Sequence, residues 1–333
     1  MKVLIAGGAG FIGSTIASAC LDAGLTPVVV DNLSTGRAEF VRDRIFYHGD
    51  IADGPLIDKV FAEHPEIAAV VHAAALIVVP ESVEQPLRYY RENVAKSIDL
   101  VEHVVRNGCG RLLFSSSASI YRPGADFSVD EDSPLEPLSP YARSKAITET
   151  VLADAAHAHD LRVISLRYFN PIGADPAMRT GLQGRYPSHA LGKMILAAEN
   201  GEPFTLTGTD WPTRDGSGIR DYIHVWDLAR AHVQALRRFD TVLPAGGGKR
   251  YEVINVGSGT GVTVRELLAA FEEVLGRPVA IVEAGRRPGD SPGCYARTGR
   301  IGELLDWRPT LSVTDGIRHS LQWSSLRERV LGG

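Results

Sequence analysis

The N-terminal stretch reads Lys2-Val-Leu-Ile-Ala6 and then Gly7-Gly-Ala-Gly-Phe-Ile-Gly13. The first part is a short apolar run typical of a buried strand, and the second part is a glycine-rich loop. A helix-like stretch follows at residues 14–23, and a second buried strand is predicted at residues 26–31. A strand, a glycine loop, a helix and a strand that ends in an acid are the beginning of a dinucleotide-binding βαβ unit.

Each glycine of the loop has a separate physical task. Gly7 permits a tight turn after the strand, Gly10 lets the backbone approach a pyrophosphate, and Gly13 lets the helix pack closely on the sheet. The phosphates would lie at the helix N-terminus, where free N–H groups favour negative charge. Asp31 ends the second strand, where its carboxylate can bond both ribose hydroxyls and repel a 2′-phosphate. The pattern therefore predicts NAD rather than NADP as the cofactor.

Length and composition predict a soluble globular protein with a large core, because 44% of the 333 residues are apolar and 23% are charged. A formal net charge of −5 argues against a general nucleic-acid or membrane-surface binder. Cys20, Cys109 and Cys294 show neither metal spacing nor a disulfide framework, which suits a reducing cytoplasm. The first apolar run breaks at Gly7, so no signal peptide is predicted, and no stretch approaches the length of a membrane span.

Strand-like and helix-like stretches alternate through the first half of the chain. Strands are predicted at residues 44–48, 68–72, 111–115 and 162–168, and helices at residues 55–63, 86–107 and 140–159. Alternation at this spacing predicts an α/β fold with a doubly wound, parallel Rossmann sheet. Ligands of such sheets lie at the C-terminal strand ends, which here read Asp50-Ile51, Ala73-Ala-Ala75, Ser115-Ser-Ser117 and Tyr168-Phe-Asn170. These small or polar residues fit a cofactor that lies across the sheet edge.

The pattern changes after Asn170, where the chain becomes rich in Pro, Gly and Thr. The later predicted elements are helices at residues 188–200, 225–239, 264–275 and from 313, and strands at residues 203–207, 220–223, 251–256 and 279–282. We expect residues 1–170 and 220–256 to form the NAD-binding Rossmann domain. We expect residues 171–219 and 257–333 to form a smaller α/β C-terminal substrate domain, the far wall of a cleft.

A second signal is Tyr141-Ala-Arg-Ser-Lys145, which follows Ser139, a good helix N-cap, and Pro140, a good first helical residue. Tyr141 and Lys145 are therefore i and i+4 on one helix face. A tyrosine alone has a pKa near 10 and is a poor base at neutral pH. An ammonium one turn away, with a nicotinium charge nearby, is expected to lower that pKa, by roughly 1–3 for one close cation. Tyr141 could then exchange a proton with a substrate hydroxyl while NAD exchanges hydride at the same carbon.

With these motifs the sequence resembles the extended short-chain dehydrogenase/reductase superfamily and, within it, the UDP-glucose 4-epimerase family. The resemblance covers nearly the whole chain. Besides the glycine loop, its motifs are Asp31-Asn-Leu-Ser34, Gly49-Asp-Ile51, Glu81-Ser82, Ser115-Ser-Ser117, Ser139-Pro-Tyr141, Leu166-Arg-Tyr-Phe-Asn-Pro171, Gly218-Ile-Arg-Asp-Tyr-Ile-His-Val225, Asp227-Leu-Ala229 and Arg287-Pro-Gly-Asp290. It implies tightly held NAD, a UDP-hexose substrate, and reversible inversion at sugar carbon 4 through a 4-keto intermediate and transient NADH. It also implies a homodimer that pairs the helices predicted at residues 86–107 and 140–159.

The resemblance also assigns site residues. Tyr141, Lys145 and Ser117 would be catalytic, and Ser117 would bond the reacting oxygen of the sugar and relay its proton. The other substrate contacts implied are Asn170 at the sugar or diphosphate, Arg220 and Arg287 at the diphosphate, Asp290 at a uridine ribose hydroxyl, and His189 and Cys294 at the sugar pocket. The cofactor contacts implied are Gly7, Gly10, Phe11, Ile12, Gly13, Asp31, Asn32, Ser34, Gly36, Asp50, Ile51, Ala73, Ala74, Ala75, Asn93, Ser115, Tyr141, Lys145 and Tyr168.

The chain departs from the family pattern at three places. Ile77 stands where hexose epimerases often carry a lysine, so weaker cofactor retention is expected. The segment Ser188-His-Ala-Leu-Gly-Lys193 replaces a common Asn-Leu or His-Leu pair that faces the substrate. Cys294 occupies the position that gates the sugar pocket, where strict UDP-glucose enzymes carry a bulky tyrosine, and Tyr295 follows one residue later. A small gate leaves room for an N-acetyl group on carbon 2, so a UDP-N-acetylglucosamine 4-epimerase is an alternative.

Other functions stay open at this point. Arg185 and Lys193 could meet a carboxylate at sugar carbon 6, as a UDP-glucuronate 4-epimerase requires. A sugar-nucleotide 4,6-dehydratase needs a carboxylate pair beside the serine of the strand end, whereas this chain has Ser115-Ser-Ser-Ala118. A non-catalytic NAD-binding protein on the same fold would have no need of the Tyr141 and Lys145 pair. No metal is predicted, because the histidines have no ligand spacing; they are His72, His157, His159, His224 and His232.

Overall fold

Strands and helices alternate in the computed structural model, which describes residues 1–185, 187–286 and 290–332. The strands are β1 (Lys2–Ala6), β2 (Thr26–Asp31), β3 (Ile45–His48), β4 (Ile67–His72), β5 (Arg111–Ser117), β6 (Ser128–Val129), β7 (Arg162–Tyr168), β8 (Asn170–Ile172), β9 (Phe204–Thr207), β10 (Ile219–His224), β11 (Tyr251–Val256), β12 (Gly261–Thr263), β13 (Ile281–Ala284) and β14 (Tyr295–Ala296). The helices are α1 (Phe11–Asp22), α2 (Gly54–Glu63), α3 (Val79–Glu84), α4 (Pro86–Tyr90), α5 (Lys96–Arg106), α6 (Pro140–Ala158), α7 (Ala190–Asn200), α8 (Val225–Arg237), α9 (Phe239–Val242), α10 (Val264–Leu275), α11 (Gly299–Leu305) and α12 (Val313–Leu331).

Seven of the described strands form one parallel sheet in the order β11-β7-β5-β4-β1-β2-β3. Its strands are apolar on both faces because helices cover both. One face packs on α1, α8 and α11, and the other packs on α2, α5 and α6. This arrangement confirms the predicted doubly wound Rossmann fold. The register pairs Ala6 with Val30 and with His72, so the C-terminal ends of these strands meet at one edge.

A second hydrophobic core begins where the chain leaves that edge after β7. It is built from α7, α10 and α12, with Met194, Phe271 and Ile317 at its centre. The short strands outside the large sheet form three groups: β10 pairs with both β8 and β12, β9 pairs with β13, and β6 pairs with β14. The segment that starts at Ile219 contributes to both parts, because β10 pairs with β8 and β12 while β11 joins the large sheet.

Two predicted elements differ in the structure. The helix predicted at residues 86–107 is divided into α4, a π-helical turn at Arg91–Ala95, and α5. The turn contains Asn93, whose side chain is bound to the backbone of Leu76 and to Ser144. The strand predicted at residues 279–282 is shifted to β13, because Ile281 pairs with Phe204 of β9. Both differences come from long-range contacts, which local periodicity does not contain.

A buried ion pair fixes α6 against the sheet. Glu149 of α6 accepts hydrogen bonds from Arg167 of β7, at 2.6 Å between Nη2 and Oε2, and from the Ser116 hydroxyl of β5 at 2.5 Å. The side chains of Glu149 and Arg167 are 7% and 6% exposed. Arg167 also donates to the hydroxyl of Tyr121 at 2.9 Å, and Tyr121 donates to Asn255 of β11 at 2.7 Å. A charge-assisted network therefore connects α6 to three strands of the sheet.

Removing Arg167 should destabilise the protein strongly. Arg167→Met leaves the Glu149 carboxylate buried without its cation, which costs about 3–5 kcal/mol. The matched control is Arg250→Met, because Arg250 pairs with an Asp160 that is fully exposed, and such surface pairs contribute about 0–1 kcal/mol. The measurement is the free energy of unfolding by urea titration. Equal losses in the two variants would contradict the assigned role of the buried pair.

The stability of the fold should fall in acid. Burial lowers the pKa of His72 to about 3, that of His224 to about 3 and that of His232 to about 4, from 6.5. Between those values and 6.5 the unfolded chain binds more protons than the folded chain, so stability is lost as the pH drops through this window. Each histidine accounts for about 2 kcal/mol at about pH 5.

Urea titrations at about pH 7.5 and about pH 5 measure the effect. We expect His232→Gln to reduce the pH dependence, whereas the same change at the exposed His157 should leave it unaltered. A free energy of unfolding that is equal at the two pH values would show that these histidines are not held neutral by burial.

Candidate active site

The glycine loop between β1 and α1 has the shape of a dinucleotide cradle. Gly7 has a φ of +82°, and a Cβ there would lie 2.5 Å from the backbone nitrogen of Ala74. A Cβ at Gly13 would lie 2.1 Å from the Gly7 carbonyl oxygen, whereas the nearest such contact at Gly10 is 3.7 Å. Gly10 is the N-cap of α1 and supplies no side-chain acceptor to the first N–H groups, near Phe11 and Ile12. The loop therefore fits an anionic pyrophosphate at the helix N-terminus.

Asp31 is held rigidly beside this loop. Its carboxylate accepts from the backbone N–H of Ala9 at 2.9 Å and from that of Leu33 at 2.8 Å. A Cβ at Gly36 would lie 2.8 Å from Asp31 Oδ1, so the backbone can approach the carboxylate this closely only because residue 36 is a glycine. Each carboxylate oxygen can accept a further bond, so Asp31 fits the predicted contact with ribose hydroxyls.

The residues predicted beside Asp31 form one polar corner. Asn32 donates to Asp50 at 2.9 Å and accepts from the backbone of Ser34 at 3.0 Å. Asp50 also accepts from Lys96 at 2.7 Å, and Ile51 is buried directly after it. Sequence reasoning missed Lys96, which lies in α5 and has no local motif.

The next predicted cofactor residues lie at the C-terminal ends of β4 and β7. Residues 73–75 follow β4 directly and contain Ala73, Ala74 and Ala75. Tyr168 ends β7 and is 9% exposed. Asn93 donates both amide hydrogens to the protein, to the Leu76 carbonyl at 3.0 Å and to Ser144 at 3.0 Å. Asn93 therefore supports the loop after β4, and its cofactor contact stays a prediction.

The three residues predicted to be catalytic meet at the end of β5. The helix α6 begins as predicted, with Ser139 accepting from the backbone of Ala142 at 3.1 Å. Tyr141 and Lys145 lie on its buried face and are 8% and 3% exposed. Lys145 Nζ donates to the Ser115 carbonyl at 2.8 Å, and Ser117 is hydrogen-bonded to Tyr141. The structure thus brings together the hydroxyl, phenol and ammonium that the motifs predicted.

The side chains around Tyr141 shift its pKa in the direction opposite to the sequence expectation. Burial raises the pKa of Tyr141, and the hydrogen bond with Ser117 opposes this only in part. Burial also lowers the pKa of Lys145 to about 7, against the charge of Glu149, which raises it. The expected lowering of the Tyr141 pKa by Lys145 is therefore not produced by these side chains, because desolvation is the larger effect.

His232 supports the same strand end, although sequence reasoning left it as a structural histidine. Its Nδ1 lies 2.9 Å from the Leu228 carbonyl oxygen, which can only accept, so Nδ1 carries the hydrogen. Nε2 then accepts from the Ser115 hydroxyl at 3.2 Å. The Ser115 hydroxyl is thereby directed into the protein and the Ser115 carbonyl toward Lys145.

The predicted substrate residues lie on the other side of this edge. Asn170 begins β8 and pairs with Tyr222. Arg220 of β10 donates to the carbonyls of Pro292 at 2.8 Å and Ser291 at 3.2 Å, so its guanidinium also holds this loop. Asp290 begins the same loop, and Arg287 lies outside the described residues.

His189 is the N-cap of α7. Its Nδ1 accepts from the backbone of Gly192 at 3.1 Å, so the hydrogen of the neutral ring is on Nε2. Burial lowers the pKa of His189 to about 4, which keeps the ring neutral. Nε2 is buried, has no partner among the described residues, and lies in a cavity lined by Phe11 and Trp323. It can donate one hydrogen bond to a polar ligand.

Cys294 and Tyr295 point to opposite sides of β14. Cys294 packs with Ala118 and Phe169, which directly follow the catalytic strand ends. Tyr295 lies in a different groove, beside Phe127 and Gly261. The cysteine therefore lies on the side of Ala118 and Phe169, and its role as a gate stays a prediction.

The described residues show neither a metal-ligand cluster nor a membrane-spanning helix. No group of three or more His, Cys, Asp or Glu side chains among them could hold a metal ion. No helix among them is long and apolar enough to cross a membrane.

Ile77, where the family often has a lysine, is 59% exposed after the end of β4.

Comparison with known proteins gives the family. The model of the NAD dependent epimerase/dehydratase family matches residues 3–257. A UDP-glucose 4-epimerase of Azospirillum brasilense is 44% identical, over 99% of this chain and 94% of that protein. The crystal structure of a Stenotrophomonas maltophila UDP-glucose-4-epimerase with bound NAD and formylated UDP-arabinopyranose superposes with a TM-score of 0.92, at 35% identity over 99% of both chains. A Bifidobacterium longum UDP-glucose 4-epimerase in complex with NAD+ and UDP gives a TM-score of 0.89, at 32% identity over 98% of both chains.

These matches span nearly the full length of the chain and of its relatives, and they agree with the glycine loop, Asp31 and the Tyr141 and Lys145 pair. The chain belongs to the NAD dependent epimerase/dehydratase family, among relatives that are named UDP-glucose 4-epimerase.

Proposed function

We propose that the protein catalyses the reversible 4-epimerisation of a UDP-hexose, UDP-glucose to UDP-galactose, with NAD as its resident cofactor. The observation that carries the proposal is the buried group of Tyr141, Lys145 and Ser117 on the sheet edge that also holds the glycine loop and Asp31. Relatives whose structures contain NAD together with UDP or a UDP-sugar support the same ligands here.

The side chains divide the work of proton transfer and positioning. NAD, when bound, would supply the acceptor and donor of a hydride at sugar carbon 4. The Tyr141 oxygen, in its phenolate form, would take the proton of the carbon 4 hydroxyl and later return it, and Ser117 beside it would hold the sugar oxygen. The Lys145 ammonium, fixed by the Ser115 carbonyl, would reach the nicotinamide ribose. Burial of these groups excludes water from the reacting carbon.

The test of this function is a turnover assay without added reductant. An epimerase regenerates its cofactor in every cycle, so UDP-galactose should form from UDP-glucose with no net change in nicotinamide absorbance. Chromatography that resolves the two 4-epimers gives the product. Consumption of added NAD in step with product would instead identify a net dehydrogenase.

The alternative substrates differ in their support. The small Cys294 on the site side of β14 favours some activity on UDP-N-acetylglucosamine. Arg185, one of the two cations considered for UDP-glucuronate, pairs with Glu328 at 2.9 Å on the exposed surface. A 4,6-dehydratase is disfavoured because the serines at the end of β5 are followed by Ala118 and Ser119, where that reaction needs a carboxylate pair.

We further propose the division of labour between the two parts of the chain. Residues 1–170 and 220–256 would hold NAD, and residues 171–219 and 257–333 would hold the UDP-sugar. The second hydrophobic core around α7, α10 and α12 supports a separate substrate part.

A cytoplasmic location fits Cys20, Cys109 and Cys294, which are all free thiols. Recovery of the activity from a membrane or secreted fraction would argue against that location.

We propose that the protein forms a homodimer through α5 and α6. Large apolar side chains are exposed along this side of the protein: Val83, Leu87, Ile98, Leu138 and Ile147 are 38–69% exposed. Such a face is favourable in water only when covered. Sedimentation velocity should give a mass of two chains, and the double variant Ile98→Asp with Ile147→Asp should give the mass of one. A wild-type protein that sediments as one chain would exclude the dimer.

Replacing the phenol should abolish most of the turnover. We expect Tyr141→Phe to lower kcat by about 100–10,000-fold, because general acid–base catalysis contributes that much. Cofactor binding should stay nearly normal in this variant, whereas Lys145→Ala should also weaken NAD binding. The measurements are kcat with UDP-glucose and the Kd of NAD from fluorescence titration. A Tyr141→Phe enzyme with a near-normal rate would mean that another group is the base.

The gate residue should control the size of the accepted sugar. The 4-keto sugar must turn round in the pocket while its diphosphate stays bound, and a group on carbon 2 passes the gate during that turn. We expect wild-type activity on UDP-N-acetylglucosamine, and its loss in Cys294→Tyr with UDP-glucose turnover retained. The measurement is kcat/KM for both sugars. If wild type rejects the N-acetyl sugar and Tyr295→Ala accepts it, Tyr295 is the gate.

A further inference from the structure

Two neighbouring residues of β10 hold the two ends of the segment that carries Cys294. We call residues 291–296 the gate segment. Arg220 donates to the carbonyls of Ser291 and Pro292 at one end, at 3.2 and 2.8 Å. Asp221 accepts from the backbone N–H of Ala296 at the other end, at 3.1 Å. Because consecutive strand residues point to opposite faces, β10 contacts the segment from two sides.

The Asp221 carboxylate accepts four hydrogen bonds, two at each oxygen. Its Oδ1 accepts from the Ser258 N–H at 2.7 Å and the Ser258 hydroxyl at 2.6 Å, and its Oδ2 accepts from the Gly259 N–H at 3.0 Å besides Ala296. The residue is 0% exposed. Four donors from two loops therefore meet at one buried carboxylate.

The backbone conformation in the middle of the gate segment is sterically restricted. Gly293 has a φ of +97°, and a Cβ there would lie 1.9 Å from Arg220 Nη1 and from the Ile219 carbonyl oxygen. Tyr295 N–H donates to the Phe127 carbonyl at 3.0 Å as a ladder bond of β14 and β6. The N–H of Ala296 lies between such ladder bonds, so its partner is Asp221 and not the strand β6.

We propose that Asp221 is a positioning residue that fixes Cys294, and not Tyr295, toward the sugar pocket, and so determines which sugars the enzyme accepts. The inference rests on the proposed epimerase function. A strand has a side-chain period of two, so a slip of one residue in the gate segment would exchange Cys294 for Tyr295. The bond from Ala296 to Asp221 opposes this slip, because it fixes the residue two positions after the cysteine.

Asp221→Asn removes the anchor with little change of volume. An amide has one acceptor oxygen, and its NH₂ group can only donate. In one orientation the NH₂ faces the N–H groups of Gly259 and Ala296, and in the other it faces the N–H of Ser258. Either orientation opposes donor to donor and leaves buried N–H groups without a partner.

The experiment is a double-variant cycle on sugar preference, defined as kcat/KM for UDP-N-acetylglucosamine divided by kcat/KM for UDP-glucose. Cys294→Tyr is made in wild type and in Asp221→Asn. The matched control background is Asp227→Asn, since Asp227 is also 0% exposed and accepts from the N–H groups of Thr310 and Leu311, both at 2.7 Å, away from the gate segment. Ala296→Pro, which removes the N–H that Asp221 accepts from the segment and also fixes φ at this position, is a second test background. Thermal melts verify that each background is folded.

Cys294→Tyr should lower the preference by at least about tenfold in wild type and in Asp227→Asn, and by less than about threefold in Asp221→Asn and Ala296→Pro, since coupled sites deviate from additivity by this amount. An equal fall in all four backgrounds would overturn the role of Asp221. A wild type that epimerises UDP-glucose but rejects the N-acetyl sugar would also overturn it, with the proposed function intact. A wild type that epimerises neither sugar would overturn the proposed function itself.

Discussion

The site depends on the buried contact between Glu149 of α6 and Arg167 of β7. Two charged groups that are both less than a tenth exposed are favourable only in close, hydrogen-bonded geometry. Here that geometry is bidentate, and it also includes the Ser116 hydroxyl of the catalytic strand. The helix that carries Tyr141 and Lys145 is thereby tied in register to the strand end that carries Ser117. Small displacements of such groups reduce catalysis severely, so rigid support of this kind has a direct chemical value.

Burial of the catalytic pair has an electrostatic cost that the protein does not offset alone. Desolvation disfavours both charged forms, so it raises the pKa of Tyr141 and lowers that of Lys145. Glu149 opposes the effect at Lys145, one helical turn farther along α6. A positively charged nicotinamide ring next to the phenol would oppose it at Tyr141. The phenolate form of Tyr141 would then be most populated when the cofactor is in its oxidised, charged state, which is the state that the first step requires.

The substrate side is arranged by backbone anchoring. Arg220 and Asp221 contact carbonyl and N–H groups of the gate segment, so the path of that segment is set by main-chain bonds. The side chain at position 294 is then free to vary in size without loss of the path. With the proposed function, such an arrangement would separate the affinity for the diphosphate from the choice of sugar.

The fold class and the cofactor type could be predicted from the sequence alone, and so could the placement of Tyr141 and Lys145 on one helix face, because each of these follows from local patterns. Apolar runs define the buried strands, the glycine spacing defines the turn before α1, and Tyr141 and Lys145 need only one helix to share a face. The contacts that hold these groups in place are visible only in the folded structure. Glu149 and Arg167 are separated by a helix end and a loop in sequence. Lys96 and His232 carry no motif of their own, and the motif that contains Asp221 does not indicate which groups its carboxylate contacts. The pKa directions also came from the tertiary structure, since desolvation depends on what packs around a group and not on its neighbours in the chain.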